Sequence, residues 1–166
     1  RESIELTHPV SIHGQGDVKF IKPETSDVIL DVNAKRYNDS KWPNKQSLSI
    51  QNVKFLGSEE PNELGTGIRL DYGTSVKINK SHFAHFDNVI NANHSSFSIS
   101  NSILSNNRTI SYHRSHLYAG TSQEDTVRFV HVNVLNTREA ITDLEGGISL
   151  AFMNSILVDK LDLKNN

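Results

Sequence analysis

No cysteine occurs anywhere in the chain, so no disulfide framework holds it and the fold must stand on its own packing or on partner chains. No charge of one sign dominates: 17 Lys and Arg face 19 Asp and Glu, a net charge of -2. A nucleic-acid surface, which needs clustered positive charge, is not expected. No apolar run approaches the ~20 residues that cross a bilayer, so no membrane insertion is expected. Residues Arg1 to Ser11 also lack the apolar core of a secretory signal. Helix formers at helical spacing are missing as well. What is plentiful is asparagine, 17 of 166 residues, together with Ser, Ile and Val. That composition favours short strands joined by tight turns. The length suits one domain, residues 1–166, with a core of ordinary size.

One nonapeptide keeps returning. "SLSIQNVKF" starts at Ser47, "SVKINKSHF" at Ser75, "SFSISNSIL" at Ser96, "TVRFVHVNV" at Thr126 and "SLAFMNSIL" at Ser149. Positions 2 and 4 are apolar in every copy: Leu48 and Ile50, Val76 and Ile78, Phe97 and Ile99, Val127 and Phe129, Leu150 and Phe152. Alternation with a period of two marks a strand with one buried face. Position 6 is polar (Asn52, Lys80, Asn101, His131, Asn154) and position 9 is apolar again (Phe55, Phe83, Leu104, Val134, Leu157). Each copy therefore reads as strand, sharp bend, strand. Asn suits the bend because it tolerates the left-handed backbone conformation.

A third apolar stretch separates the copies, carrying Ile68, Ile90, Ile110 and Ile141 in turn. Three short strands per turn of some 21 to 30 residues predict a solenoid. One coil cannot bury its apolar face alone, but stacked coils share a continuous core. The N-terminal part extends the pattern, with Val10 and Ile12 in one strand, "HGQG" at His13 to Gly16 as the turn, and Val18 and Phe20 in the next. The count is about six coils.

The opening "HPVSIHGQGDVKF", followed by "SIQNVKF", "VKINKSHF" and "FSISNSIL", resembles the right-handed parallel β-helices of the pectate-lyase-like superfamily, above all those of bacteriophage tailspikes and tail fibres. The resemblance implies an all-β, single-stranded right-handed parallel β-helix. It also implies stacked asparagines at the second turn, interrupted here by Lys80 and His131. "SIEL" at Ser3 to Leu6 and "LDL" at Leu161 to Leu163 read as strand close to either end, with no capping helix. Uncapped end coils are expected of an excerpt from a longer chain or of a homotrimer.

Candidate chemistry lies in insertions between strands: "NAKRYNDSKWPNKQ" from Asn33, "GSEEPNELG" from Gly57, and "HRSHLYAGTSQED" from His113. The first and third leave the same corner, three coils or roughly 14 Å apart. They offer Tyr37, Trp42, Arg36 and Tyr118 to a sugar, with Arg69 and Asp71 on the neighbouring strand. Aromatic faces stack on sugar rings, and Arg meets acidic groups. The bland alternative is tolerated insertions folded over their own coils.

For catalysis the candidates are His113, Arg114, Asp143 and Glu145. Glycoside hydrolysis needs two carboxyl groups about 5 to 9.5 Å apart. Asp71 and Asp143, three coils apart, are too distant, while Asp143 and Glu145 share one turn, where a solvated acidic turn is the plainer reading. No Asp cluster stacks across coils for calcium, the "NTDG" and "GHG" strings of polygalacturonases are missing, and the histidines form no metal-ligand pattern. Neither a metal nor another cofactor is expected. The resemblance implies a tailspike that engages bacterial surface polysaccharide from a virion tail or another extracellular setting. A polysaccharide depolymerase, lyase or hydrolase, and a purely structural fibre segment are the alternatives.

Overall fold

The computed structural model describes residues 3–6, 10–33, 47–60, 63–71, 74–114, 125–143, 148–157 and 162–165. The nonapeptide forms two strands in every copy. Its first half makes sheet B: β2 (Ser11–His13), β5 (Ser47–Gln51), β8 (Ser75–Asn79), β11 (Ser96–Ser100), β14 (Asp125–Val130) and β17 (Ile148–Met153). Its last residues make sheet C: β3 (Lys19–Ile21), β6 (Lys54–Leu56), β9 (His82–Ala84), β12 (Ile103–Ser105), β15 (Asn133–Leu135) and β18 (Ile156–Leu157). The third stretch makes sheet A: β1 (Ile4–Leu6), β4 (Val28–Asn33), β7 (Thr66–Asp71), β10 (Asn88–Asn93), β13 (Thr109–Arg114), β16 (Glu139–Asp143) and β19 (Asp162–Asn165).

Strands stack in chain order within each sheet, and every pair is parallel. The chain thus runs B to C to A six times after β1. Among the described residues there is no helix. This is a parallel β-helix of about six coils, as the repeat predicts.

The bends work as the asparagines suggest. Asn52, Lys80, Asn101, His131 and Asn154, between sheets B and C, all take the left-handed conformation, with φ of 48–57°. A second set stands between sheets C and A, at His85, Asn106 and Asn136, with φ of 48–64°. Left-handed backbone is strained for Lys and least so for Asn, so Lys80 and His131 hold their place by the stacking around them. They also interrupt the ladder: Asn52 Nδ2 donates to the Gly14 carbonyl at 2.8 Å, whereas Asn101 Nδ2 turns aside to Asn79 Oδ1 at 2.9 Å.

A serine ladder runs just inside that corner. Ser102 Oγ accepts the Ser81 N–H at 3.0 Å, Ser81 Oγ accepts the Val53 N–H at 3.4 Å, and Ser155 Oγ accepts the Val132 N–H at 3.2 Å. Each hydroxyl donates back to the carbonyl two residues earlier. Buried backbone donors that the corner would orphan are thereby satisfied.

Apolar rows fill the lumen. Phe20, Phe55, Phe83, Leu104 and Val134 stack along sheet C, with the rings of Phe55 and Phe83 4.5 Å apart and 2° from parallel. Along sheet B, Phe129 and Phe152 repeat the arrangement at 4.6 Å. Sheet A departs from expectation. Its register sets Ser111, not Ile110, beside Ile90 and Ile141. The strands enter sheet A with two consecutive core residues (Ile29 and Leu30, Val89 and Ile90), because the corner turns both inward. Ile110 takes the first place and the fully buried Ser111 the second.

Candidate functional site

The first and third insertions do share a corner. Segment 34–46 follows β4 and segment 115–124 follows β13, and β4, β7, β10 and β13 are successive strands of sheet A. Their departure points are three strand spacings apart, roughly 14 Å. Arg36, Tyr37, Trp42, Tyr118 and Glu145 lie outside the described residues. What the structure describes is the ground on either side of that corner.

On one side is the outer face of sheet A. By register, Glu5, Asp31, Arg69, Asn91 and Tyr112 form one row, and Asn33, Asp71, Asn93 and Arg114 the next, nearer the corner. Every residue of both rows is polar. Arg69 Nη1 lies 3.4 Å from Asp31 Oδ2, and Asn93 Nδ2 donates to Asp71 Oδ1 at 3.3 Å. Burial raises the Asp31 pKa, Arg69 opposes the rise, and the negative charges of Asp71 and Glu5 add to it. Its Oδ1 is shut from solvent and has no hydrogen-bond partner, which is why desolvation outweighs the neighbouring cation. Arg69 and Asp71 are thus brought together with Asp31, a carboxylate that sequence reasoning passed over.

His113 is placed otherwise than expected. The sequence sets it at the start of an insertion, but β13 runs on to Arg114, and alternation puts His113 inward in the row of Leu70 and Ala92. It is 0% exposed. A group so enclosed does not meet a polymer in solution. Asp143 is in register with His113, and Arg114 with Asn93 and thence Asp71. Asp71 and Asp143 therefore stand in different rows as well as three strands apart, so the expectation that they do not pair holds on two counts.

On the other side of the corner is the outer face of sheet B, opposite the apolar positions 2 and 4 of the nonapeptide. Positions 1, 3 and 5 point outward, and they are rich in hydroxyls: Ser75, Ser96 and Thr126 in one row, with Lys77, Ser98 and Arg128 in the next. These six line a shallow depression of about 240 Å³. A second depression of about 250 Å³ lies over the corner between sheets B and C, beside Asp17, Lys54, Lys80 and His82. There Asp17 receives both Lys54 at 2.7 Å and Lys19 at 3.1 Å.

Among the described residues no group of three His, Cys, Asp or Glu is arranged to hold a metal ion. His82 instead shares a hydrogen bond with Ser105 Oγ at 2.8 Å. Burial lowers its pKa below the ordinary 6.5, helped by the positive charges of Lys54 and His85. The unfolded chain therefore takes up this proton first as pH falls. Stability owed to neutral His82 is complete above the unfolded pKa and declines below it, until the folded form protonates too. His82→Gln is expected to flatten the fall in melting temperature between about pH 7 and 5. An unchanged slope would mean that other groups set it.

Compared with protein-family models, curated proteins and solved structures, the chain matches none. The class that its own geometry defines is the parallel β-helix, with a polar corner between sheets A and B.

Proposed function

We propose that this β-helix recognises a polysaccharide laid across the corner between sheets A and B, as the receptor-binding part of a virion spike would engage a bacterial surface glycan. The observation that carries the reading is the common origin of two aromatic-bearing segments, the cationic 34–46 and the polar 115–124, on a corner flanked by hydrogen-bonding rows. Coil stacking spaces the residues of each row about 4.8 Å apart, a rigid comb that suits a ligand repeating its hydroxyls along a chain. Loops on a stiff scaffold are where recognition concentrates. The virion setting comes from the resemblance of the coils to tailspike β-helices. A homotrimer fits the outer face of sheet C, where Ile21, Ile103, Leu135 and Ile156 are 40–58% exposed.

One observation favours depolymerase activity as the second reading. Asp31 and Asp71 occupy adjacent strands two register steps apart, a backbone separation of roughly 8 Å from strand geometry. Inverting hydrolases hold their two carboxyl groups about 6.5–9.5 Å apart. Asp31, with its raised pKa, suits the general acid, and Asp71 the base.

The test is to display bacterial polysaccharides to the chain and follow both binding and chain length. Trp42→Ala and Tyr118→Ala are each expected to weaken binding about tenfold, at the lower end of the roughly 1–3 kcal/mol with which an aromatic side chain holds a stacked nucleobase. Shortening of a polymer that stops in Asp31→Asn and Asp71→Asn would establish the hydrolase. Binding that neither aromatic replacement touches would sink the corner as the site.

A further inference from the structure

The outer face of sheet B carries two cations that the fold does not use. Lys77, Ser98 and Arg128 share one row on the successive strands β8, β11 and β14. The two cationic positions are thus two strand spacings, roughly 10 Å, apart. Both side chains are exposed, and among the described residues neither forms an ion pair. Several other surface cations are paired: Lys19 and Lys54 meet Asp17, Arg69 meets Asp31, and Arg108 meets Asp87 at 3.1 Å, whereas the exposed Lys80 and Arg138 share the unpaired state among the described residues but do not stand in one row across a depression. No carboxylate lines the depression that Lys77 and Arg128 flank. Like charges on one face repel and add nothing to folding, and two of them across one depression without a carboxylate suit an anion from outside.

The hydroxyls between and beside them are ready to donate. Ser96 Oγ already accepts the Thr126 N–H at 2.9 Å, which leaves its own hydrogen for a further partner. Ser75 and Ser98 make no side-chain hydrogen bond among the described residues. The depression thus offers two positive charges and several hydroxyl donors on a floor held by the buried Val76 and Phe97. It also adjoins the corner, because segment 115–124 enters β14 next to Thr126.

We propose that this depression is a subsite for an acidic sugar unit, with its carboxylate or sulfate gripped by Arg128 and Lys77 and its ring hydroxyls met by Ser75, Ser96, Ser98 and Thr126. The inference rests on the glycan reading above and adds the class of ligand, an anionic polysaccharide. Arg128 supplies a planar fork that matches two oxygens of the acid, while Lys77 supplies a movable point charge. The long side chains converge on the anion from either side of Ser98.

The experiment uses the full chain with four probes: a hexuronate oligosaccharide, the same chain with its carboxyls reduced to alcohols, dextran sulfate, and dextran. Binding to the hexuronate chain or to dextran sulfate is expected, and the stronger arm tells which acid the site takes. Arg128→Ala should weaken that binding about tenfold or more, since hydrogen bonds to charged groups are worth about 1.5–3 kcal/mol. Lys77→Ala should weaken it less, and Arg128→Lys should fall between wild type and Arg128→Ala because the fork is lost but the charge is kept. Both positions are exposed, so melting temperatures should stay put. Equal binding of the acid and its reduced counterpart, or unchanged binding by the Lys77→Ala/Arg128→Ala double variant, would overturn the subsite. If only neutral glycans bind, the subsite fails and glycan recognition stands. If no probe and no bacterial polysaccharide binds, both fail.

Discussion

Phe83→Ala is expected to cost about 3–5 kcal/mol of unfolding free energy. Its ring is wholly buried, stacked 4.5 Å from Phe55 and tilted 6.3 Å from Phe86, in the third of six coils. Truncation removes the transfer energy of the ring and leaves a cavity that neighbours on both sides cannot close, because each is pinned in its own coil. Against the roughly 5–15 kcal/mol of a typical domain, the loss is a large fraction of the whole. Phe83→Leu should recover most of it, since the next coil holds Leu104 at this place in the same row. Denaturant unfolding of the two variants decides the matter. A loss below about 1 kcal/mol for Phe83→Ala would mean that the rings stack without supporting the coils.

Gly57→Ala is the second large effect, and its cause is backbone contact. Gly57 closes the turn from sheet C to sheet A, donating its N–H to the Ala84 carbonyl at 2.8 Å in the coil above. A methyl group at Gly57 would run into the His85 carbonyl. At the same corner His85, Asn106 and Asn136 keep their side chains clear by adopting positive φ, whereas Gly57 stays outside the left-handed region. Alanine must either push the coils apart or take up the strained conformation, at about 2–3 kcal/mol. Gly57→Asn should lose less, because Asn enters the left-handed region at smaller cost and already does so twice at this corner. Equal losses for Ala and Asn would show that this turn cannot switch conformation.

Much of this was legible beforehand. Apolar positions 2 and 4 and the polar sixth residue placed sheets B and C and the bend between them, because period two and left-handed turns are local properties written within nine residues. In sheet A the alternation points to Ile110, one residue short of the register position that Ser111 holds, since two consecutive core positions at the sheet's entrance fit either of two alternations. His113 followed from the same cause: where a strand stops is decided by its neighbours, and β10 carries β13 one hydrogen-bonding step beyond the apparent turn. The hydroxyl rows of sheet B were visible as Ser and Thr in alternate places. Only stacking makes them rows.

Sequence alone, then, determined the kind of molecule: no disulfides, strands in threes, six coils, asparagine bends and two aromatic insertions on one corner. Each of those is a matter of near neighbours along the chain. Tertiary structure decided which residues meet across coils: Asp31 with Arg69 and Asp71, Lys77 with Arg128, Ser111 and His113 turned into the lumen. Coils of 21 to 38 residues bring into contact side chains whose separation in sequence varies from turn to turn. Register, set by hydrogen bonds between strands, is the quantity that aligns them.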